Sequence, residues 1–348
     1  MTQPTRAYGV TAPDAPVAPL AIERRNLRED DVAIRITHCG ICHSDLHMAR
    51  NDWGMSLYPM VPGHEIVGIV TAVGPGVTRF APGDRAAVGC LVDSDRTCNH
   101  CQAGHEQFCP EMVFTYSGID RHDGSVTYGG YSEAVTVSEA FVCRLPQALD
   151  IARAAPLLCA GITTYSPLKP FGVGPGHKVG VVGLGGLGHM GVKLARAMGA
   201  EVTMITTSPE KGADARELGA HDVLLSTDPN AMAAAAERFD LILNTSPVRH
   251  DIAPYLGLTK PLGTMVIVGA ISELDGLHGG ALAMRNRIVA GSLIGGLPET
   301  QEMLDFCAEH SIHPEVEIIQ PADINTAWDR MERGDVRYRF VIDLGGQA

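Results

Sequence analysis

The sequence predicts an α/β protein of two domains, one rich in β-strands and one built on a doubly wound parallel sheet. Three observations predict this fold class. The chain has 348 residues, enough for about two domains. Short apolar runs broken by glycine and proline fill residues 30–145. Further on, a strand, a glycine turn, a helix and a second strand follow one another, which is a βαβ unit.

The first domain is assigned to residues 1–150 and 296–348. The runs DVAIRITHCGIC, EIVGIVTAVG and GDRAAVG alternate or are apolar and end at turn residues, so they predict short strands. In the C-terminal part, LPETQEMLDFCAEHSI predicts an amphipathic helix with Met303, Leu304 and Phe306 on one face. The tail VRYRFVIDL alternates like a final strand.

The second domain is assigned to residues 151–295. It begins with DIARAAPLLCAGITTYSPL, whose spacing is helical, and continues with the strand KVGVV and the helix GHMGVKLARAMG. The later runs FDLILNT, GTMVIVGA and RIVAGSLIGG are almost continuously apolar. Such runs are typical of parallel strands that helices cover on both faces.

Composition argues against several classes of protein. The chain has 27 Lys and Arg against 40 Asp and Glu, a formal charge of −13, whereas nucleic-acid and membrane surfaces need clustered cations. We find no apolar run of about 18 residues and no signal-peptide pattern at the start. Nine cysteines, an odd number grouped with histidines, indicate metal binding or chemistry rather than disulfides. We therefore expect a cytoplasmic protein.

A glycine motif between strand and helix predicts a dinucleotide site of the Rossmann type. Gly183, Gly185 and Gly188 form G-x-G-x-x-G. Glycine allows the tight turn and the close approach of a pyrophosphate, and the helix N-terminus offers free N–H groups. The motif is weak alone, but this strand–turn–helix context makes it specific.

The end of the following strand favours NADP over NAD. An NAD site places an acidic residue there to bind the ribose hydroxyls. The segment is instead ITTSPEK, with Thr206, Thr207, Ser208 and Lys211. Hydroxyl donors and a cation suit a 2′-phosphate, although Glu210 is an unfavourable charge in the same turn.

Two sets of residues have the chemistry of metal ligands. Cys42, His64 and Cys159 form a set that suits catalytic zinc with an open position, but their spacing does not require that they meet. The second set, DRTCNHCQAGHEQFC, contains three cysteines at C-x2-C-x7-C spacing and an aspartate where a further cysteine would stand. It is compatible with a substituted zinc site, a metal-free lobe or unrelated thiols. The acidic chain disfavours a zinc-ribbon nucleic-acid module.

The order of several segments resembles the zinc-dependent medium-chain alcohol dehydrogenases, most of all the cinnamyl-alcohol-dehydrogenase branch with its bacterial NADPH-dependent broad-range aldehyde reductases. These segments are GICHSDLH, YPMVPGHEIVGIV, the cysteine lobe, PLLCAGITTYSPL, GLGGLGHMGVKLARAMGA and GDVRYRFVIDL. The resemblance covers residues 25–344 and implies a GroES-like first domain, a Rossmann second domain and a homodimer paired through RIVAGSLIGG.

The resemblance also implies residue roles. It places a catalytic zinc on Cys42, His64 and Cys159, contributed by both domains, with Glu65 beside the metal. Ser44 would accept the alcohol proton and pass it through the cofactor ribose to His47, which meets solvent. The implied cofactor contacts are Thr163, Gly183, Leu184, Gly185, Gly186, Leu187, Gly188, His189, Thr206, Thr207, Ser208, Lys211, Thr245, Ser292, Leu293 and Ile294.

For the cysteine lobe, the resemblance implies a structural zinc on four cysteines, of which Cys98, Cys101 and Cys109 match the last three. Asp95 stands in place of the first. Because aspartate can bind zinc through a carboxylate oxygen, we expect the zinc to be kept, although less firmly. Other donors close by in the sequence are Cys90, His100 and His105.

The resemblance also implies that Trp53, Leu57 and Phe114 lie in the wall of the substrate pocket. In the lignin-type enzymes of this branch, a phenylalanine is common where this chain has Leu293. That difference favours a roomy apolar pocket over strict phenylpropenyl specificity. The sequence thus predicts a zinc enzyme that transfers hydride between NADP(H) and alcohols or aldehydes, mainly reducing aromatic and medium aliphatic aldehydes. The alternatives are a polyol substrate or NAD, and, from another class, a nucleotide-binding protein without catalysis.

Overall fold

The computed structural model describes residues 3–269 and 273–345. The chain forms two compact units, Met1–Cys159 together with Gly295–Ala348, and Ala160–Ile294. Among the described helices, none combines the length and the apolar character that a membrane crossing requires.

The described strands, in chain order, are β1 (Gln3–Gly9), β2 (Ala18–Arg24), β3 (Asp31–Gly40), β4 (Ile66–Val73), β5 (Arg85–Val88), β6 (Leu91–Asp93), β7 (Val113–Phe114), β8 (Ala134–Ser138), β9 (Cys143–Arg144), β10 (Lys178–Val182), β11 (Glu201–Thr206), β12 (Asp222–Leu225), β13 (Phe239–Asn244), β14 (Thr259–Ile267), β15 (Ile288–Gly291), β16 (Val316–Ile319) and β17 (Arg339–Asp343). The described α-helices are α1 (His43–Ala49), α2 (Asn99–Gln102), α3 (Ile151–Ala154), α4 (Ala160–Tyr165), α5 (Gly188–Ala197), α6 (Glu210–Glu217), α7 (Pro229–Ala234), α8 (Ala253–Leu256), α9 (Gly279–Ala283), α10 (Leu297–Glu309) and α11 (Ile324–Glu332).

The first unit is organised by a sheet in the order β16-β17-β3-β4-β5-β9, with β8 also paired to β3. Strand β3 lies at its centre and pairs antiparallel with β4, β8 and β17. Its Val32, Ile34 and Ile36 are fully buried, as the alternating sequence predicts. The chain leaves β3 directly into α1, so residues at that junction are fixed by a central strand.

The second unit is a parallel sheet in the order β12-β11-β10-β13-β14-β15. The strand order reverses between β10 and β13, and ligands of such sheets bind at the carboxyl ends of the strands beside that reversal. The apolar runs form its core, where Phe239, Ile242 and Met265 are fully buried. The predicted fold class is confirmed for both units.

The segment with helical spacing before Thr163 is not one continuous helix. Helix α3 passes into a 3-10 turn, Ala155–Leu158, that contains Pro156, and α4 begins after Cys159. The 3-10 turn packs against β3, β4, β5 and β17. This packing places residues 151–159 in the first unit, whereas the sequence predicts them in the second.

Candidate active site

Four buried side chains of the first unit bring metal-binding atoms together. Cys42, His64, Glu65 and Cys159 each offer one ligand atom, and these atoms lie within 4.8 Å of one another. The two sulfurs are 3.8 Å apart. Two thiolates bound to a tetrahedral zinc at roughly 2.3 Å are separated by about 3.8 Å. The donor set and the sulfur spacing therefore both fit zinc.

The four residues reach this cluster from three parts of the chain. Cys42 is the N-cap of α1, His64 and Glu65 immediately precede β4, and Cys159 follows the 3-10 turn. All four belong to the first unit. The expectation that both domains contribute ligands is therefore wrong, because the turn before Cys159 packs on the sheet of the first unit.

Asp45 is not among the predicted site residues, but it holds the backbone and side chains of the cluster in place. It is fully buried, and its carboxylate accepts hydrogen bonds from the backbone N–H of Cys42 (2.9 Å) and Gly63 (3.1 Å) and from the hydroxyl of Tyr131 (3.1 Å). His64 Nδ1 lies 3.2 Å from Asp45 Oδ1. This contact orients the ring and leaves Nε2 for a metal. The sequence signal was an acidic residue three positions after the N-cap.

Glu65 supplies the clearest sign that a cation belongs in the cluster. Its Oε1 is ion-paired with Arg339 Nη2, and both side chains are buried. Its Oε2 is buried and has no hydrogen-bond partner among the described residues. Burial raises the pKa of Glu65 to about 8, although the charge of Arg339 opposes the shift. A buried carboxylate oxygen without a hydrogen-bond partner destabilises the folded protein, because it has lost its contacts with water. A metal ion bound to that oxygen would offset this cost.

The proposed proton-transfer residues lie on α1. Ser44 Oγ is 3.6 Å from Cys42 Sγ. One helical turn on, His47 is 41% exposed, and its Nδ1 lies 2.8 Å from Asp52 Oδ2. The ring of Trp53 is 5.4 Å from that of His47. A hydroxyl close to the cluster and an exposed imidazole on the same helix suit the movement of a proton to solvent.

The cysteine lobe forms a second cluster, in which single ligand atoms of Asp95, Cys98, Cys101 and Cys109 lie within 4.8 Å of one another. Asp95 Oδ1 accepts from the backbone N–H of Thr97 (2.8 Å) and Cys98 (2.9 Å). These bonds hold the pKa of the Asp95 carboxyl below its usual value, so the group is ionised. Two backbone N–H groups donate to Cys109 Sγ, those of Asp95 at 3.4 Å and Glu111 at 3.3 Å. Such hydrogen bonds are typical of thiolates that bind a metal.

The other donors near the lobe do not join this cluster. Cys90 lies beside the first cluster, where its thiol is 3.9 Å from the carbonyl oxygen of Leu158. The rings of His100 and His105 each pack 6.1 Å from the ring of Phe108. The lobe thus brings together four candidate metal ligands, three cysteines and one aspartate.

In the second unit, the glycine turn joins β10 to α5 at the carboxyl edge of the sheet. Gly183 has φ of 89°, which favours glycine. A Cβ on Gly188 would come within 1.8 Å of the Gly183 carbonyl oxygen, whereas one on Gly185 would meet no atom within 4 Å. Gly183 and Gly188 are therefore required by the fold, and Gly185 leaves free space above the turn. Between them lie Leu184, Gly186 and Leu187, and His189 is buried in α5.

The turn after β11 lies beside the glycine turn. Lys211 Nζ donates to the carbonyl oxygen of Leu184 at 3.4 Å. Thr206 is buried at the end of β11, and Thr207 is exposed. Ser208 Oγ donates to Glu210 Oε2 at 2.6 Å, so Glu210 faces this turn and does not point away from it. The turn therefore presents hydroxyls and one cation near the backbone of the glycine turn, together with one carboxylate, Glu210.

The remaining predicted residues lie as follows. Thr163 is buried in α4, and Thr245 directly follows β13. After β15, the N–H of Ser292 donates to the carbonyl oxygen of Ile267. Leu293 follows and is 46% exposed, and Ile294 has a φ of 39°. In the first unit, Leu57 and Phe114 are half-buried, and Ser117 Oγ accepts from the Leu57 N–H at 3.3 Å.

Comparison with known proteins agrees with this geometry. Residues 28–147 match the model of the alcohol dehydrogenase GroES-like domain, and residues 186–309 match that of zinc-binding dehydrogenases. NADP-dependent alcohol dehydrogenase C 1 of Mycolicibacterium smegmatis is 52% identical over 339 residues, 97% of each chain. Aldehyde reductase YahK of Escherichia coli is 50% identical over 341 residues, again 97% of each.

A solved structure of a cinnamyl alcohol dehydrogenase from Sorghum bicolor superposes with a TM-score of 0.96 at 45% identity, covering 99% of both chains. Sequence identity near one half over almost the entire length, together with both domain matches, shows common ancestry and not merely a shared fold. The chain belongs to the family of zinc-binding medium-chain alcohol dehydrogenases.

Proposed function

We propose that this protein transfers hydride between NADP(H) and alcohols or aldehydes with the help of zinc, and that it mainly reduces aromatic and medium aliphatic aldehydes to primary alcohols. The observation that carries this proposal is the buried cluster of Cys42, His64 and Cys159. Beside it lies Glu65 Oε2, for which the described part of the chain offers no hydrogen-bond partner. The Mycolicibacterium smegmatis and Escherichia coli relatives, named for NADP dependence and for aldehyde reduction, support the cofactor and the reaction.

Cys42, His64 and Cys159 would hold the catalytic zinc, and Glu65 would lie next to it. When bound, zinc supplies Lewis-acid polarisation of the substrate oxygen, and NADPH supplies the hydride. Asp45 keeps the His64 ring in place, and Arg339 fixes one oxygen of Glu65.

The proton moves through residues of α1. Ser44 holds a hydroxyl proton next to the cluster, and His47, oriented by Asp52, exchanges protons with solvent. Trp53, Leu57 and Phe114 are proposed to line the substrate pocket on the first unit. On the second unit, Leu293 in place of a larger aromatic residue favours a broad range of aldehydes.

The function is tested by measuring aldehyde-dependent oxidation of NADPH and of NADH by the wild-type protein and by the Lys211→Ala variant. We expect the wild-type protein to oxidise NADPH faster than NADH with benzaldehyde. Lys211→Ala should lower the ratio of kcat/KM for NADPH over NADH by about 10- to 100-fold, because it removes the cation near the 2′-phosphate. Lys178→Ala is the control, since Lys178 begins β10 at the far end of that strand from the glycine turn.

Faster turnover with NADH than with NADPH would contradict the cofactor assignment. Zinc-loaded protein that binds NADPH but reduces no member of an aldehyde panel would favour a nucleotide-binding protein without catalysis. Better turnover of polyols than of primary alcohols in the reverse direction would replace the proposed substrate class.

We also propose that the cysteine lobe holds a structural zinc on Asp95, Cys98, Cys101 and Cys109. Protein produced with excess zinc should contain about two zinc ions per chain, and Asp95→Ala should contain about one. Asp95→Cys should keep two and lose the second to a chelator at least about tenfold more slowly, because thiolate is the softer ligand. Zinc content by atomic emission and the kinetics of metal release give both readouts.

Glu111→Ala is the matched control for Asp95→Ala. It removes another carboxylate of the same lobe, one that pairs with Arg121 and is outside the ligand cluster. Its zinc content should equal that of the wild type. A single zinc in wild-type protein made with excess metal would show instead that the lobe is metal-free, held by ion pairs such as Arg96–Asp93.

We further propose a homodimer and a cytoplasmic location. Strand β15 lies at the edge of its sheet, with Ile288 47% exposed and Met284 79% exposed shortly before it. An edge strand with exposed apolar neighbours suits pairing with its copy about a twofold axis. All nine cysteines are free thiols, and two clusters of them have ligand geometry, which suits a reducing compartment.

A further inference from the structure

Two side chains close the loop that follows β13, and we call this pair, Asn244 and His250, the clasp. His250 Nδ1 lies 2.7 Å from the carbonyl oxygen of Val248, and Nε2 lies 3.0 Å from Asn244 Nδ2. Because a carbonyl oxygen only accepts, Nδ1 carries the proton and Nε2 accepts from the Asn244 amide. Asn244 Oδ1 accepts from the Ser246 N–H at 3.2 Å. Both ends of the Asn244 amide are thus used, and its orientation is fixed.

The loop that the clasp closes begins with Thr245, which contacts the glycine turn. Thr245 Oγ1 lies 2.8 Å from the carbonyl oxygen of Val182 and 2.9 Å from that of Gly183. A Cβ on Gly188 would lie 3.1 Å from the same hydroxyl oxygen. Thr245 therefore fills the space beneath the turn, and a shift of Thr245 would move the turn.

The loop is held on two further sides. A Cβ on Gly269 would come within 2.4 Å of the Thr245 backbone, so the start of the loop is pressed against the chain after β14. At the other end, Arg249 makes two hydrogen bonds to Asp275, of 2.7 and 2.8 Å. Among the described residues, the clasp connects the end of β13 by side chains to the part of the loop that the Arg249–Asp275 pair holds.

From this geometry we infer that His250 is a positioning residue for the dinucleotide site. Through Asn244 it holds Thr245, and through Thr245 it keeps the glycine turn in the shape that receives the pyrophosphate. The inference rests on the proposed binding of NADP(H) at this turn. His250 lies outside the catalytic cluster, and its contribution concerns cofactor affinity rather than the chemical step.

A simpler role for His250 is packing. Its ring meets that of Tyr255 edge-on, with centroids 5.6 Å apart. Two substitutions separate the roles, because each keeps one feature and removes the other. His250→Phe keeps an aromatic ring against Tyr255 but removes the acceptor for Asn244. His250→Gln removes the ring but places an amide oxygen close to the position of Nε2.

The test is the equilibrium dissociation constant of NADPH, measured by its fluorescence. It is combined with kcat and the KM for NADPH, both measured at a saturating concentration of aldehyde. We expect His250→Phe to weaken NADPH binding by about five- to tenfold, as the loss of one hydrogen bond implies, with kcat at saturating cofactor close to wild type. His250→Gln should bind within about twofold of wild type. The melting temperature of each variant, measured without cofactor, identifies general unfolding.

The outcomes distinguish this inference from the proposed function. Equal NADPH affinity of His250→Phe and wild type, or weaker binding by His250→Gln than by His250→Phe, overturns the clasp and leaves the proposed function in place. A fall in kcat with unchanged affinity in His250→Phe overturns it as well. A wild-type chain that binds no NADPH overturns both.

Discussion

Replacing Cys159 with alanine is expected to reduce aldehyde reduction by at least about a thousandfold in kcat/KM. The change removes one of two sulfurs that lie 3.8 Å apart in the cluster. Lewis-acid catalysis by zinc contributes several kcal/mol, and each 1.36 kcal/mol corresponds to about a tenfold change in rate. The zinc content should fall by about one ion per chain. NADPH binding should persist, because the glycine turn belongs to the other unit.

Cys307→Ala is the matched control for this substitution. Cys307 is also buried, in α10, where its sulfur lies 3.7 Å from Met303 Sδ and outside both ligand clusters. The control removes the same atoms and should cost stability without changing the zinc content or the rate per folded molecule. A Cys159→Ala variant that kept its zinc and more than about a tenth of its activity would refute the catalytic site.

Alanine in place of Gly185 is expected to weaken NADPH binding by at least about tenfold while leaving the melting temperature almost unchanged. A methyl group there meets no protein atom within 4 Å, so the fold accepts it. It would occupy the space through which the pyrophosphate approaches the backbone. Gly188→Ala should instead destabilise the turn itself, because its methyl group would lie 1.8 Å from the Gly183 carbonyl oxygen.

Titration with NADPH and thermal unfolding, run on the same samples, separate the two effects. Gly279→Ala is the control, since this residue begins α9 and a methyl group on it also meets no atom within 4 Å. It should change neither the affinity nor, by more than a few degrees, the melting temperature. Equal NADPH affinity in Gly185→Ala and Gly279→Ala would place the pyrophosphate elsewhere.

How far the sequence predicts the site depends on the distance along the chain between the interacting residues. The cysteine lobe lies within 15 residues, Asp95 to Cys109. Its spacing brings three cysteines and one aspartate to attention as a set, and the family resemblance implies that the four form one site. Cys42, His64 and Cys159 are far apart, and residue types alone left their meeting open until the family resemblance was considered. Whether either set binds zinc in this protein stays a prediction.

Other features of the site follow from tertiary packing and have no local signal. Arg339 lies 274 positions from its partner Glu65. It belongs to the last strand, where it resembles any polar residue in an alternating pattern. The sequence predicts the wrong unit for Cys159, because helical spacing does not reveal which sheet a segment packs on. In α10, Cys307 is fully buried and Phe306 is only half-buried. The sequence does not separate the two residues, because both fit an amphipathic pattern.

The order in which the first unit is synthesised has a consequence for its maturation. A ribosome releases Cys42, His64, Glu65 and Cys159 well before Arg339, because all of Ala160–Ile294 is translated in between. During that interval Glu65 lacks the cation that it pairs with in the finished protein. A nascent chain can thus bring these proposed zinc ligands together early, but the Glu65 carboxylate gains its permanent partner only when the last strand has emerged.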